Sequence, residues 1–447
     1  MIKGSLDMGR DPVARVIVTM ALPAMMSMFF QNLYEFVDTM FISWLGPVPL
    51  AAQGLSIPLF YVALSLSKAV QYGLIGLAGS YHGAGNHDRA EDVLQAGQFL
   101  IVLLMLPLLM VAVPAVGRGL FAFMGAEGSL VDQAYIYSFW LVLSFPVMAY
   151  FMLGEALLVS RGDTRTPMKA MIGGNIVNLV LDPVLMFGFD MGIAGAAIAT
   201  LIGWIMAVLM LIHHLHRQGL AMPSWQWKSR YRAEWAGMAH LSVYIFISQI
   251  SSPLALALVN TVLVDFGAAA VGAWTIMSRL ELFSLMPLFG VGSALIAFIS
   301  FNTAAGLYHR IRHGLLVTAG VAAAFVLPIM AFFILWPDIA AWPFQAGEEV
   351  RLLAAGAIQA AAWAHIVCPA ELILFGLAQG LKKPAYYLPA VIVRLFVLRY
   401  PLAYGLAGFY GLAGVYWSQP LANLGTAVVS AALIAALLRP LPHADAV

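Results

Sequence analysis

Charge is the scarcest property of this chain. Only 10% of its 447 residues are Asp, Glu, Lys or Arg, against about 25% in an average soluble domain. With 62% hydrophobic residues and a mean hydropathy of +0.90, so much apolar surface can be kept from water only where lipid is the solvent. Charge of one sign is missing too: 22 Lys and Arg balance 21 Asp and Glu for a net charge of +1. That leaves no basic field for nucleic acid and no acidic tail. Cysteine is nearly absent. Cys368 alone forms no internal disulfide and supplies no thiolate cluster for zinc or iron–sulfur.

What is there instead is a series of long apolar runs. Twelve membrane spans are predicted, at 13–45, 51–80, 93–116, 131–159, 168–188, 192–216, 238–266, 271–301, 314–336, 350–378, 385–408 and 411–438. This is an all-α, polytopic membrane protein of twelve transmembrane helices in two six-helix lobes. The first run is too long for a signal peptide and is expected to be retained. Positive charge near span ends stays in the cytoplasm. One set of loops holds 16 Lys and Arg and the other only Arg118 and Arg351, while Lys68, Arg279, Arg394 and Arg399 fall inside spans. Both termini are therefore expected in the cytoplasm, with the protein in the cell (inner) membrane.

The halves repeat. Gly46 and Gly267 stand 221 residues apart, and Gly85 with Arg89 matches Gly306 with Arg310 at the same offset. RGDTRTP from Arg161 is echoed by QGLKKP from Gln379, and GIAGAA from Gly192 by GLAGVY from Gly411. Six spans per copy is an even number, so the copies face the same way, an arrangement found in transporters whose halves rock about a central site. The lobes are expected at 1–216 and 238–447, joined by a cytoplasmic linker at 217–237.

A charge at bilayer depth costs about 2.5–3.5 kcal/mol on insertion scales. Glu35, Asp38, Glu155, Asp182, Glu281 and Glu371 each therefore need a partner, a proton or a wet cavity. Four of the six lie in the first half, which makes it the expected seat of ion coupling. Asp38, Asp182 and Thr200 fall about 8–12 Å below the outer surface at 1.5 Å per residue. Asn178 lies one turn before Asp182 on the same helix face, and Tyr34 one turn below Asp38. Two carboxylates, an amide oxygen, a hydroxyl and a backbone carbonyl near Ala196 form a hard-oxygen set suited to sodium or a shared proton. The alternative is that Asn178 and Asp182 only tie helices together. Pro23 in the first span and Pro183 in the fifth permit bending.

The segments QNLYEFVDTMFISWLG from Gln31, RGDTRTP from Arg161 and NIVNLVLDPVLMFG from Asn175 running into GIAGAAIAT, with the twelve-span repeat, resemble the multidrug and toxic compound extrusion (MATE) family, in its DinF-like prokaryotic branch. The resemblance implies cation binding (H+ or Na+) in the N-terminal lobe by Asp38, Asn178, Asp182 and Thr200, with the Ala196 carbonyl as a further ligand, and a substrate cavity bearing Tyr34, Glu35 and Glu155. Where a second branch of the family carries an acidic residue within span seven, this sequence has none from Ser242 to Asn260. That argues against a cation site in the C-terminal lobe, although Glu371 sits in span ten. The function implied is antiport: export of amphipathic, mostly cationic drugs in exchange for H+ or Na+ by alternating access. No enzymatic activity, no cofactor beyond the coupling ion, no nucleic-acid partner and a monomer in lipid are expected. Within the same superfamily the alternative is a flippase of a lipid-linked precursor, whose anionic headgroup could meet only Arg279, Arg394 and Arg399. From another class, Asp38 and Asp182 could be the carboxylate dyad of an intramembrane hydrolase.

Overall fold

Helices begin and end where glycine, proline and short polar residues interrupt the apolar runs. A computed structural model describes residues 6–124, 126–217, 222, 231–344 and 347–441. The first repeat comprises α1 (Val13–Trp44), α2 (Pro47–Gly83), α3 (His87–Leu109), α4 (Ser129–Val159), α5 (Arg165–Pro183) and α6 (Gly192–Arg217). The second comprises α7 (Tyr231–Leu263), α8 (Ala268–Ala304), α9 (Tyr308–Leu335), α10 (Glu348–Gly380) and the stretch Pro384–Leu438. Gly411, at φ 58°, breaks that stretch into α11 (384–410) and α12 (412–438). Ten helices among the described residues are long and apolar enough to cross a membrane, the last counted as one piece of 55 residues. No strand occurs among the described residues.

The repeat is written in the backbone. Gly46 and Gly267 end their first helices at φ 114° and 90°, and Gly85 and Gly306 share φ 73°, conformations that a Cβ would penalise by about 1–2 kcal/mol. A short helix opening on proline follows the third span of each copy, at Pro114–Phe123 and Pro337–Ala341. The fifth helix of each copy runs into a π-helical stretch, Val184–Gly188 and Val393–Arg399. Such turns are frequent at functional sites.

Two compact lobes result. One holds Met26–Ser242; the other holds Met8–Met25 and continues from Val243. The opening third of each repeat's first helix thus belongs to the lobe of the other repeat. Sequence-matched arginines hold these openings. Arg89 at the start of α3 pairs with Glu234 at 2.8 Å, while Tyr231 and Trp235 donate to Gln95 Oε1 and the Ala96 carbonyl. In the other lobe Arg310, at the start of α9, donates to the carbonyls of Met8 (3.1 Å) and Asp11 (2.5 Å). Gly290 lets α8 pass against the backbone of Ala24, where a Cβ would come within 2.4 Å. Helix α7 starts at Tyr231, seven residues before the span read from hydropathy, because its first turns are polar. Of the expected linker, 218–221 and 223–230 lie outside the described residues.

Candidate functional site

The site starts from two glycines. Helices α5 and α6 cross where Gly174 meets the Gly203 carbonyl, and a Cβ on Gly174 would stand 2.5 Å from that oxygen. Small residues let helix backbones approach and bring neighbouring polar groups into register. One turn beyond Gly174, Asn178 Nδ2 donates to Thr200 Oγ1 at 3.4 Å, and Thr200 Oγ1 donates to the Ala196 carbonyl at 3.1 Å. One further turn along α5 is Asp182, fully buried just before Pro183 and the π-helical turn.

Helix α1 supplies the second carboxylate. Asp38 Oδ2 accepts from Gln53 Nε2 at 3.1 Å, and the same amide reaches Thr39 Oγ1 at 3.3 Å. Tyr34, one turn earlier, lies 3.4 Å from Thr200 Oγ1, so α1 and α6 meet at one hydroxyl. Asp38 and Asp182 interact electrostatically, and Tyr137 on α4 lies within range of both. A small cleft, with room for about one water molecule, is lined by Tyr34, Asn175, Asn178, Thr200 and Trp204 among others, and neither carboxylate lines it.

Unpartnered acceptors outnumber donors here, Asn175 Nδ2 being the unpartnered donor on α5. Asp38 Oδ1, Asn178 Oδ1 and both oxygens of Asp182 are buried without a hydrogen-bond donor. Leaving a single buried polar group unsatisfied costs about 1–3 kcal/mol, more when it is charged. Four such acceptors on two helices call for a positive ligand, and a proton or sodium ion fits their hard oxygens. Among the described residues, no group of three or more His, Cys, Asp or Glu is placed to hold a metal. The oxygen set present is two carboxylates with an amide and a hydroxyl.

The other residues expected at the site are distributed differently. Glu35 is half-buried on α1 and accepts from Gln31 at 3.4 Å, within electrostatic range of Asp38. Glu155 is not brought to this cluster. It lies eighteen residues beyond Tyr137 on α4, about 27 Å at 1.5 Å per residue, where Gln71 donates to it at 2.6 Å and the buried Lys68 is its electrostatic partner. Sequence reasoning missed Gln53, Gln71 and Tyr137. A buried amide at bilayer depth needs a partner, and that was the available signal for the two glutamines.

The second lobe carries its own polar network. Arg394 pairs with Glu371 at 2.7 Å, and Tyr387 donates to the other oxygen of that carboxylate at 3.3 Å. Arg399 donates to Gln419 Oε1 at 3.0 Å, and Gln419 Nε2 donates to Glu281 Oε1. Arg279 is exposed.

The family model MatE matches residues 23–184 and 245–405, once in each repeat. The FAD transporter of Shewanella oneidensis is 28% identical over 426 residues, covering 92% of each chain. The multidrug export protein MepA of Staphylococcus aureus is 22% identical over 96% of this chain and 95% of its own. A crystal structure of a mutant of the Vibrio cholerae MATE transporter VcmN superposes with a TM-score of 0.90 at 23% identity, covering 96% of this chain and 97% of that one. With the twelve-helix repeat and a family match in both halves, the chain belongs to the MatE family of multi-pass membrane transporters.

Proposed function

We propose that the protein is a cation-coupled exporter of amphipathic organic molecules, with Asp38 and Asp182 binding the coupling proton or sodium ion. The convergence of unpartnered acceptor oxygens from α1 and α5 carries this reading. Loading the ion removes one negative charge from the pair, tightens α1 against α5 and α6 through Tyr34 and Thr200, and displaces substrate from the first lobe as the lobes alternate in access. The energies suffice. One charge moving inward yields about 2.3 kcal/mol per 100 mV, and each pH unit adds about 1.36 kcal/mol. Reversing a 1:99 population takes about 5.5 kcal/mol, so two ions at ordinary gradients drive a nearly complete switch. Termini in the cytoplasm of the cell membrane fit the loop charges.

Organic cations suit the acidic first lobe, and MepA is named for multidrug export. The arginines of the second lobe and the FAD transporter among the relatives favour anionic aromatic molecules as a second substrate class. Efflux of a fluorescent cation from proteoliposomes, with sodium and pH gradients imposed separately, tests the coupling. Asp38→Asn should abolish gradient-driven efflux while the protein stays monodisperse. Efflux at the wild-type rate in that variant would refute the site.

A further inference from the structure

The two lobes carry opposite polarity. In the first, the unpartnered buried atoms of Asp38, Asn178 and Asp182 are acceptors, with Asn175 Nδ2 a lone donor on the helix of Asn178 and Asp182. In the second, the unpartnered atoms around Arg399 are donors: Nε of Arg394, Nε of Arg399, Nε1 of Trp274 and the hydroxyl of Tyr416. These groups adjoin one another. The Arg399 guanidinium stands 5.4 Å over the Trp274 ring, and that ring stacks on Tyr416 at 6.1 Å with 15° between planes. Trp274 and Tyr416 are 1% and 6% exposed, so water from outside the lobe does not reach their donors freely.

Among the described residues Arg399 forms no direct ion pair, and Glu281 acts on it through Gln419. The hydrogen bond of Arg399 goes to the neutral amide of Gln419, which keeps Glu281 one side chain away from the guanidinium. Depth rules out escape to an interface. Arg399 lies fifteen residues from Pro384 and twelve from Gly411, about 22 and 18 Å along the helix in a hydrocarbon core about 30 Å thick. A purely structural guanidinium at that depth would be expected to hold its carboxylate directly, as Arg394 holds Glu371, because a buried charge left unpaired costs several kcal/mol. The fork geometry of arginine suits a two-oxygen anion such as a phosphate.

We infer that Arg399, assisted by Arg394, forms a subsite in the second lobe for the phosphate or diphosphate group of a transported molecule. Arriving anion oxygens take the free Nε–H of Arg399 and compete with Glu371 for Arg394. This deepens the exporter reading by naming a substrate chemistry, but binding can be measured without transport, so the two stand or fall separately. A diphosphate ester can come from a soluble dinucleotide or from a lipid-linked precursor, and the test has an arm for each.

The full chain in nanodiscs is titrated with FAD, with riboflavin as the same ring lacking phosphate, and with farnesyl diphosphate as competitor. FAD should bind about 10- to 100-fold more tightly than riboflavin, the range that charge-assisted hydrogen bonds supply. Arg399→Gln should close that gap, and Arg399→Lys should restore only part of it, because the charge returns without the fork. Tight farnesyl diphosphate binding lost in Arg399→Gln, with weak FAD binding, supports the same subsite with a lipid source. Equal affinity of wild type for FAD and riboflavin, with no binding of farnesyl diphosphate, overturns the inference, as does diphosphate binding unaltered by Arg399→Gln. The wild-type comparison decides the matter if the variants do not fold. Asp38-dependent efflux of a cationic dye, run in parallel, reports on the exporter reading alone.

Discussion

Replacing Gly174 by alanine should uncouple the first-lobe site without touching any of its polar groups. The added Cβ would lie 2.5 Å from the Gly203 carbonyl oxygen and 2.8 Å from the Ala207 Cβ. Both are fixed to helix backbone, so no flexible side chain can yield. Restoring ordinary contact requires α5 and α6 to part by about 1 Å, since carbon atoms settle about 3.5–4.0 Å apart. The Asn178–Thr200 hydrogen bond is already 3.4 Å long, and a further ångström takes it beyond bonding range. Overpacking of this kind costs about 1–3 kcal/mol, and the same movement shifts Asp182 with its helix. The expected result is a lowered thermal midpoint together with a weaker stabilisation of the purified protein by the coupling ion. Gly54→Ala is the control, because nothing lies within 4 Å of its Cβ position. Wild-type stability and ion response in Gly174→Ala would show that the glycine crossing does not set the site.

Other perturbations probe the frame. Arg310→Ala removes bonds to Asn302 Oδ1, the Met8 carbonyl and the Asp11 carbonyl. It should cost about 2–4 kcal/mol, from hydrogen bonds to a charged group, and hasten protease cleavage ahead of α1; an unchanged nicking rate would refute the clamp. Lys68→Met removes the cation whose field acts on Glu155 and should lower the thermal midpoint. Adding Glu155→Gln should recover most of that loss in thermal melts, and strict additivity of the two changes would deny their coupling. Gly267→Ala forces a Cβ into φ 90° and should lower stability by about 1–2 kcal/mol, whereas no loss would mean that the turn relaxes.

Much of this was legible in the sequence because membrane insertion makes few demands and enforces them strictly. Apolar length gave the spans, and matched glycines gave the repeat, since only a turn of fixed hand needs glycine at Gly46 and Gly267 alike. Asn178, Asp182 and Thr200 could be placed together because a short turn joins their helices. Asp38 could be added by depth. Hydropathy could not register how one helix is shared between lobes, as it reports burial in lipid and not which neighbours a segment chooses. The start of α7 was hidden for that reason, its polar first turns reading as linker. Gln53 escaped because an amide carries no charge to make its burial conspicuous, and the spacing of Arg399 from Glu281 depends on Gln419, twenty residues away in sequence.

The swapped helix openings bear on how such a chain can be made. Asn302 and Arg310 grip a segment synthesised some 300 residues before them, at sequence separations of 294 to 302. That segment must wait for neighbours made long after it, and such distant contacts form slowly. Severing the chain between its repeats would leave each fragment without the segment that its lobe borrows, so two separately expressed halves should mature only when they meet in one membrane.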